Sequence, residues 1–158
     1  MGVLSVMIIG KRNDPLFFYT PMGSSRPSSE ILLQQMAIHS ALDTVEERRR
    51  KSAFAAPGTV DLYFGQLLQV DEYKVFGHYS NTHTKTMVIC DSGTDSSDPS
   101  VRELVMALRG IYTTATQNPF QMPETPVVSM RFRNAISQAL AAYNSLRGLH
   151  HEKSIFSL

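Results

Sequence analysis

A chain of 158 residues with 42% hydrophobic and 18% charged residues has the size and mixture of one globular domain, able to bury roughly two thirds of the surface its unfolded form exposes. A net charge of +1 at pH 7 gives no electrostatic case for nucleic acid, and Cys90, the sole cysteine, has no disulfide partner, which fits the cytosol. The first apolar run is too short and wrongly flanked for a signal peptide, and nothing later approaches the roughly 20 apolar residues of a membrane span, so work at a membrane is expected to go through partners.

Val3 to Ile9 is apolar on both faces, with Val3, Met7 and Ile9 pointing one way and Leu4, Val6 and Ile8 the other. Gly10 to Pro15 carries turn chemistry, and Leu16 to Thr20 returns as a second strand in a hairpin with the first. The stretch at about 21–29, rich in proline and serine, buries little and is expected to be a mobile loop. Ser29 is placed as the N-cap of a helix from about Glu30 to Arg50 whose stripe is Ile31, Ile38, Leu42 and Val45. Arg48, Arg49, Arg50 and Lys51 at its far end read as a solvated end that complements the helix dipole, in preference to a nuclear signal or a lipid patch.

Asp61 to Asp91 holds three strand-like runs joined by connections too short for helices. Leu62, Phe64, Leu68 and Val70 share one face of the first, while Tyr73, Val75 and Tyr79 alternate with Lys74, His78 and Ser80 in the second. Asp71-Glu72 and Asn81-Thr82-His83 are short polar turns, which makes the three runs an antiparallel meander. The third run, Thr86 to Cys90, is apolar on both faces and belongs inside the sheet. Asp98-Pro99 opens a second helix with the stripe Val101, Leu104, Val105, Leu108, Ile111 and Tyr112, which ends before Asn118-Pro119. After a proline-rich link, Ser129 caps a third helix with the stripe Phe132, Ile136, Ala139, Leu140, Tyr143 and Leu146, and Gly148 is its expected stop. The domain is therefore read as 1–149, with 150–158 as a flexible tail.

The order is β-β-α-β-β-β-α-α. Two strands apolar on both faces need helices on both sides of one sheet, so the fold class is α/β (α+β), a three-layer sandwich around a five-stranded, mainly antiparallel sheet. The first and fifth strands are expected to be central neighbours, which leaves the second and third at the edges.

Catalytic chemistry finds little support. Asp91-Ser92-Gly93-Thr94 matches the loop of aspartic proteases, but that reaction needs two aspartates sharing a proton, so a single copy would serve only in a symmetric dimer of an all-β protein. The five histidines show no ligand spacing, and His39, His78 and His83 read as surface residues; no metal and no cofactor is expected. Neither a nucleophile elbow nor a phosphate-binding loop is present. Tyr63, Phe64, Tyr73, Phe76 and Tyr79 have only Lys74 among them, so they read as core and edge packing and not as a nucleic-acid platform.

Several tracts resemble the sedlin-type subunits of the TRAPP vesicle-tethering complex, most of all their sedlin-like branch. In order they are Ile38-His39-Ser40-Ala41-Leu42-Asp43 with Val45-Glu46, then Asp61-Leu62-Tyr63-Phe64-Gly65, Asp71-Glu72-Tyr73-Lys74-Val75-Phe76-Gly77, Met87-Val88-Ile89-Cys90-Asp91 and Asn118-Pro119-Phe120. The loop Pro21 to Ser29 and the tail beyond Gly148 depart from that pattern. The resemblance implies the longin-like (SNARE-like) fold, with one helix on one face of the sheet and two on the other. It also implies a non-enzymatic adaptor that assembles or stabilises TRAPP, a complex that activates Rab GTPases by nucleotide exchange on ER-to-Golgi, Golgi and endosomal routes. The exchange site there is built from other subunits, so no catalytic residue carries over. The implied partners are other TRAPP subunits, with the Rab reached through the complex, at the cytoplasmic side of those membranes. One position does carry over: Asp43 matches the acidic residue through which sedlin-type subunits hold partners. Spacing places it one residue past the inward Leu42, about 100° round the helix, at an exposed or boundary site. The alternatives are another longin-type trafficking adaptor, such as sedlin itself or a clathrin-adaptor small chain, and, more distantly, a homodimeric aspartic protease using Asp91.

Overall fold

A sheet whose central strands have no solvent-facing side must be covered above and below, and the chain folds accordingly. A computed structural model describes residues 2–21, 28–55, 62–70, 72–80, 82–93, 99–122 and 125–156, without side chains at 52–55, 62 and 146–156. The strands are β1 (Val3–Ile9), β2 (Pro15–Tyr19), β3 (Leu62–Val70), β4 (Tyr73–Tyr79) and β5 (Lys85–Asp91). The helices are α1 (Ser28–Ala55), between β2 and β3, and α2 (Pro99–Thr116) and α3 (Met130–Phe156), after β5. The sheet order is β2-β1-β5-β4-β3, and every neighbouring pair is antiparallel. The two runs that are apolar on both faces are thus adjacent inside the sheet, and β2 and β3 are its edges.

Alternation sends the side chains of each central strand into two separate cores. Val6, Ile8, Val88 and Cys90, with Phe76 of β4, meet Val105 and Leu108 of α2 and Ile136 and Leu140 of α3. Met7, Ile9, Met87 and Ile89, with Val75 and Tyr79, meet Ile38, Ala41, Leu42 and Val45 of α1. Each such aliphatic side chain, fully buried, stabilises the fold by about 1.5–3 kcal/mol before the entropy of ordering is counted. One helix on one face and two on the other is the longin-like sandwich.

The departures from period two coincide with breaks in register. On β1 the pairing with β5 shifts between Val3 and Ser5, and across that shift Val3 joins the α2/α3 core while Leu4 packs toward α1, the reverse of the expected assignment. On β3 the pairing with β4 shifts twice, between Tyr63 and Gly65 and between Gln66 and Leu68. Leu67 is buried as a result, with Phe64 and Leu68 packed beside it toward α1, so two consecutive residues face that core; Val70 lies opposite Tyr73 at the exposed end of the strand, and the side chain of Leu62 is outside the described residues. Gly65, at the first shift, has φ +71°, a conformation that a side chain would strain.

Helix ends differ as well. α1 begins at Ser28, which puts Ser29 inside it, and runs to Ala55, so the basic run at 48–51 is not its last turn. α3 continues through the expected stop at Gly148 as far as Phe156, so most of the segment 150–158 expected as a tail has helical backbone. Pro99 is the first residue of α2, and the helix ends at Thr116, ahead of Asn118-Pro119. At the start of α3 the Ser129 hydroxyl accepts the Phe132 N–H at 3.4 Å, as a cap does. Asp98, most of the loop 21–29, and the turn residues Asp71 and Asn81 lie outside the described residues.

Gly77 of β4 is pressed between β3 and β5: a Cβ there would stand 2.5 Å from Leu67 Cδ1 and 2.9 Å from Met87 Sδ, both buried. Gly77→Ala is therefore expected to destabilise the protein by about 1–3 kcal/mol through overpacking. Thermal or urea unfolding measures this, and an unchanged midpoint would show that the α1 core yields at no cost.

Candidate interaction surface

α1 turns Gln34, Ala37, Ile38, Ala41, Leu42 and Val45 toward the sheet, the i, i+3, i+4, i+7 spacing of a buried stripe. Its opposite side begins with Leu32, Leu33 and Met36, all more than half exposed, and continues through His39 and Ser40 to Asp43. Seven residues is close to two whole turns, so Asp43 stands above Met36 on the same outer face, about 10 Å along the axis. Asp43 is exposed, and it makes no hydrogen bond or ion pair among the described residues. The sequence-predicted site residue is thus outside the core, next to the buried Leu42, and adjoins an apolar strip that single-face spacing did not reveal.

Past Asp43 the outer face becomes charged and internally tied. Glu46 and Arg49 form an ion pair at 2.9 Å, Glu47 and Lys51 another at 3.1 Å, and Arg48 Nη1 donates to the Phe64 carbonyl at 2.7 Å. Arg48 therefore fastens α1 to the edge strand β3 beside its first bulge. Of the basic run at 48–51, Arg48 reaches the sheet, Arg49 and Lys51 pair along the helix surface, and Arg50 and Lys51 are exposed.

Behind it lies a polar clasp that the sequence pattern did not disclose. Lys85, 2% exposed, donates to the Gly10 carbonyl at 3.2 Å and to Asn13 Oδ1 at 2.7 Å, and its ammonium stands 5.8 Å from the centre of the Tyr79 ring. The Tyr79 hydroxyl is bonded to His83 Nδ1, and the Arg49 guanidinium lies 5.5 Å from the same ring. Asn13 and His83 both have φ of 64°, each in the turn of a hairpin. The clasp thus joins the β1–β2 turn, the β4–β5 turn and α1.

The remaining candidate residues are spread apart. Asp91 ends β5, half-buried, and its N–H donates to the Gly2 carbonyl at 3.2 Å while the Ser92 N–H donates to the Glu72 carbonyl at 2.9 Å. These bonds make Asp91-Ser92-Gly93 a closure of the sheet end, in a fold with helices on both faces and not the all-β architecture of aspartic proteases. His39 and His83 are exposed, but His78 is 1% exposed, because β4 is an interior strand covered on both sides; the surface reading of His78 was incorrect. Among the described residues no three of His, Cys, Asp and Glu are grouped as metal ligands. The five aromatic residues of the meander are divided between the layers, Tyr63 and Phe76 toward α2/α3 and Phe64, Tyr73 and Tyr79 toward α1, so they form no single platform.

Sheet order, layer assignment and the outward face of α1 together define a longin-like domain. Its family follows from sequence comparison: the profile described as Sedlin matches residues 8–142, and the chain belongs to the sedlin family. It is 31% identical to a trafficking protein particle complex subunit 2-like protein of Xenopus tropicalis over 136 residues, covering 85% of this chain and 94% of that protein. Proteins of the same name from Dictyostelium discoideum and Rattus norvegicus are 27% and 29% identical, again over 85% of this chain and 94% of each relative.

Burial pushes the Tyr79 phenol above the usual tyrosine value, with Glu46 adding to the shift and Arg49 opposing it. A raised folded pKa means that the stability linked to Tyr79 is complete below about pH 10, where an unfolded tyrosine ionises, and is lost as pH climbs through the higher folded value. Tyr79→Phe should lower the melting temperature slightly at neutral pH, because the bond to His83 is gone, and should make its decline above about pH 10 shallower. Melting curves from neutral to alkaline pH check both; parallel curves for the two proteins would show that Tyr79 ionises freely.

Proposed function

We propose that this chain is a non-enzymatic adaptor subunit of a TRAPP-type vesicle-tethering assembly, with the outer face of α1 as a partner-binding surface and Asp43 as its polar contact. The observation that carries this reading is the exposed strip Leu32, Leu33 and Met36 leading to an exposed Asp43 on a helix whose other side is fully used by the core. Apolar residues near a carboxylate suit a partner helix or loop that offers aliphatic side chains and an arginine or backbone donors. Sedlin-family membership and the names of the relatives support the assembly as the setting.

On this reading the subunit acts in ER-to-Golgi, Golgi and endosomal transport by holding other TRAPP subunits together, and a Rab GTPase meets the assembly at an exchange site built elsewhere. No helix of the described residues is long and apolar enough to cross a membrane, and membrane association comes through partners. No cofactor enters this role.

A partly desolvated, charge-assisted contact at Asp43 is worth roughly 1.5–3 kcal/mol, about ten- to hundredfold in affinity. Asp43→Asn should weaken recovery of TRAPP subunits in a pull-down, and Asp43→Tyr should weaken it further by adding bulk at the contact. Both should keep the melting temperature of the isolated protein, since exposed positions away from caps and cores change stability by only about 0.5 kcal/mol. Equal recovery by wild type and both variants would remove Asp43 from the interface, and a large drop in melting temperature would give it a role in the fold instead.

A further inference from the structure

α2 and α3 cover their face of the sheet and leave between them an open groove of about 590 Å³. On α2 its lining includes Ala107, Gly110 and Thr114; Val127 and Phe132 supply larger apolar surface, and among the described residues Arg131 is the only charged one lining it. Gly110 is the informative position. It lies inside a helix, where glycine is less favourable than alanine, yet a Cβ built on it meets nothing within 4 Å among the described residues, which give no reason for a missing side chain. Space left open at the floor of a groove between two helices permits the close approach of a third.

The link from α2 to α3 adds an apolar rim. Asn118 and Gln121 line the groove, and between them Phe120 is 92% exposed, its N–H bonded to Asn118 Oδ1 at 3.0 Å. Met122, Val128 and Met130 are also mostly exposed. Gln121 Nε2 donates to Thr125 Oγ1 at 3.0 Å, and Thr125 donates to the Met122 carbonyl at 2.7 Å, so hydrogen bonds within the link brace it. Phe120, Met122 and Val128 on the link and Met130 at the start of α3, beside an apolar groove, form a patch that a chain acting alone rarely exposes.

Charge selects the occupant. In the sequence from 99 to 145 four arginines, 102, 109, 131 and 133, stand against two acids, Glu103 and Glu124, whereas the whole chain is nearly neutral, and of the four Arg131 lines the groove. From Ala107 to Ala115 α2 rises roughly 12 Å, a little over two helical turns. We propose that the α2/α3 groove docks an acidic amphipathic helix of a partner protein, its apolar ridge over Gly110, a carboxylate on Arg131 and further apolar contact at Phe120. This surface is on the opposite side of the sheet from Asp43 and is independent of the α1 face.

The test pans a phage-displayed library of peptides about 14 residues long against the full chain. Selected sequences should carry apolar residues at i, i+3, i+4 and i+7 with Asp or Glu on the flanks. As synthetic peptides they should bind Gly110→Leu and Arg131→Glu at least about tenfold more weakly than wild type, and Asp43→Asn as well as wild type. Gly110→Leu should melt no lower than wild type, because its side chain enters open space; Gly110→Ala, which leaves most of the groove open, should melt higher and retain most of the binding. Selection of basic peptides or of sequences without helical spacing, or equal affinity for Gly110→Leu, would overturn the proposal. A concentration-dependent dimer abolished by Gly110→Leu in light scattering would overturn it in favour of a second copy. Sedimentation with phosphatidylserine vesicles that Arg131→Glu abolishes, without peptide binding, would overturn it in favour of a lipid surface.

Discussion

The structure depends on β1 and β5 lying side by side with both faces buried. Neither strand has a polar side to offer water, so their pairing obliges the chain to place a helix layer above and another below. The consequences follow in order. α1 must cross one face and α2 with α3 the other, the less buried β2 and β3 take the edges, and the two cores meet only through the sheet. Once each helix has given one side to a core, its other side is free for different uses, and both candidate docking surfaces lie on such outward sides.

Strand order and layers were legible in the sequence because they rest on which runs lack a polar face, a property that a shift of one residue does not alter. Facing assignments within strands were less legible. Val3 and Leu4 exchanged sides at one break in register, and at another Leu67 joined Leu68 on the α1 side; a bulge has no hydrophobic signal of its own, and Gly65 was the one local hint. His78 read as a surface residue and Lys85 stood just outside the expected fifth strand, and their burial is a property of strand position: β5 and β4 are interior, and a lysine there requires acceptors such as Gly10 and Asn13 that are distant in the sequence. Gln34 occupies the inward stripe of α1 without being apolar, so periodicity passed over it.

Of the candidate site, the exposure of Asp43 followed from its place next to Leu42, and its proposed role came with the family resemblance. The strip Leu32, Leu33 and Met36 escaped because a stripe search looks for the residues that face the core, and exposed apolar residues on the far side read only as noise in that pattern. The groove between α2 and α3 was beyond reach for a different reason: it is made by the mutual placement of two helices, and a glycine in a predicted helix does not say whether the space beside it is filled.

The buried Lys85 has a consequence for the order of assembly during synthesis. Its bonds to Gly10 and Asn13 span 75 and 72 residues, so the first hairpin leaves the ribosome long before the strand that latches it. β1–β2 and β3–β4–β5 are each closed by short turns, and joining them closes a loop of more than 70 residues, a slow step compared with forming either hairpin. Until then β1 presents two apolar faces and an open edge to solvent, the kind of surface that chaperones retain and that aggregates form upon. The ammonium of Lys85 loses its water only when both halves are in register, which makes the clasp a marker of completed maturation.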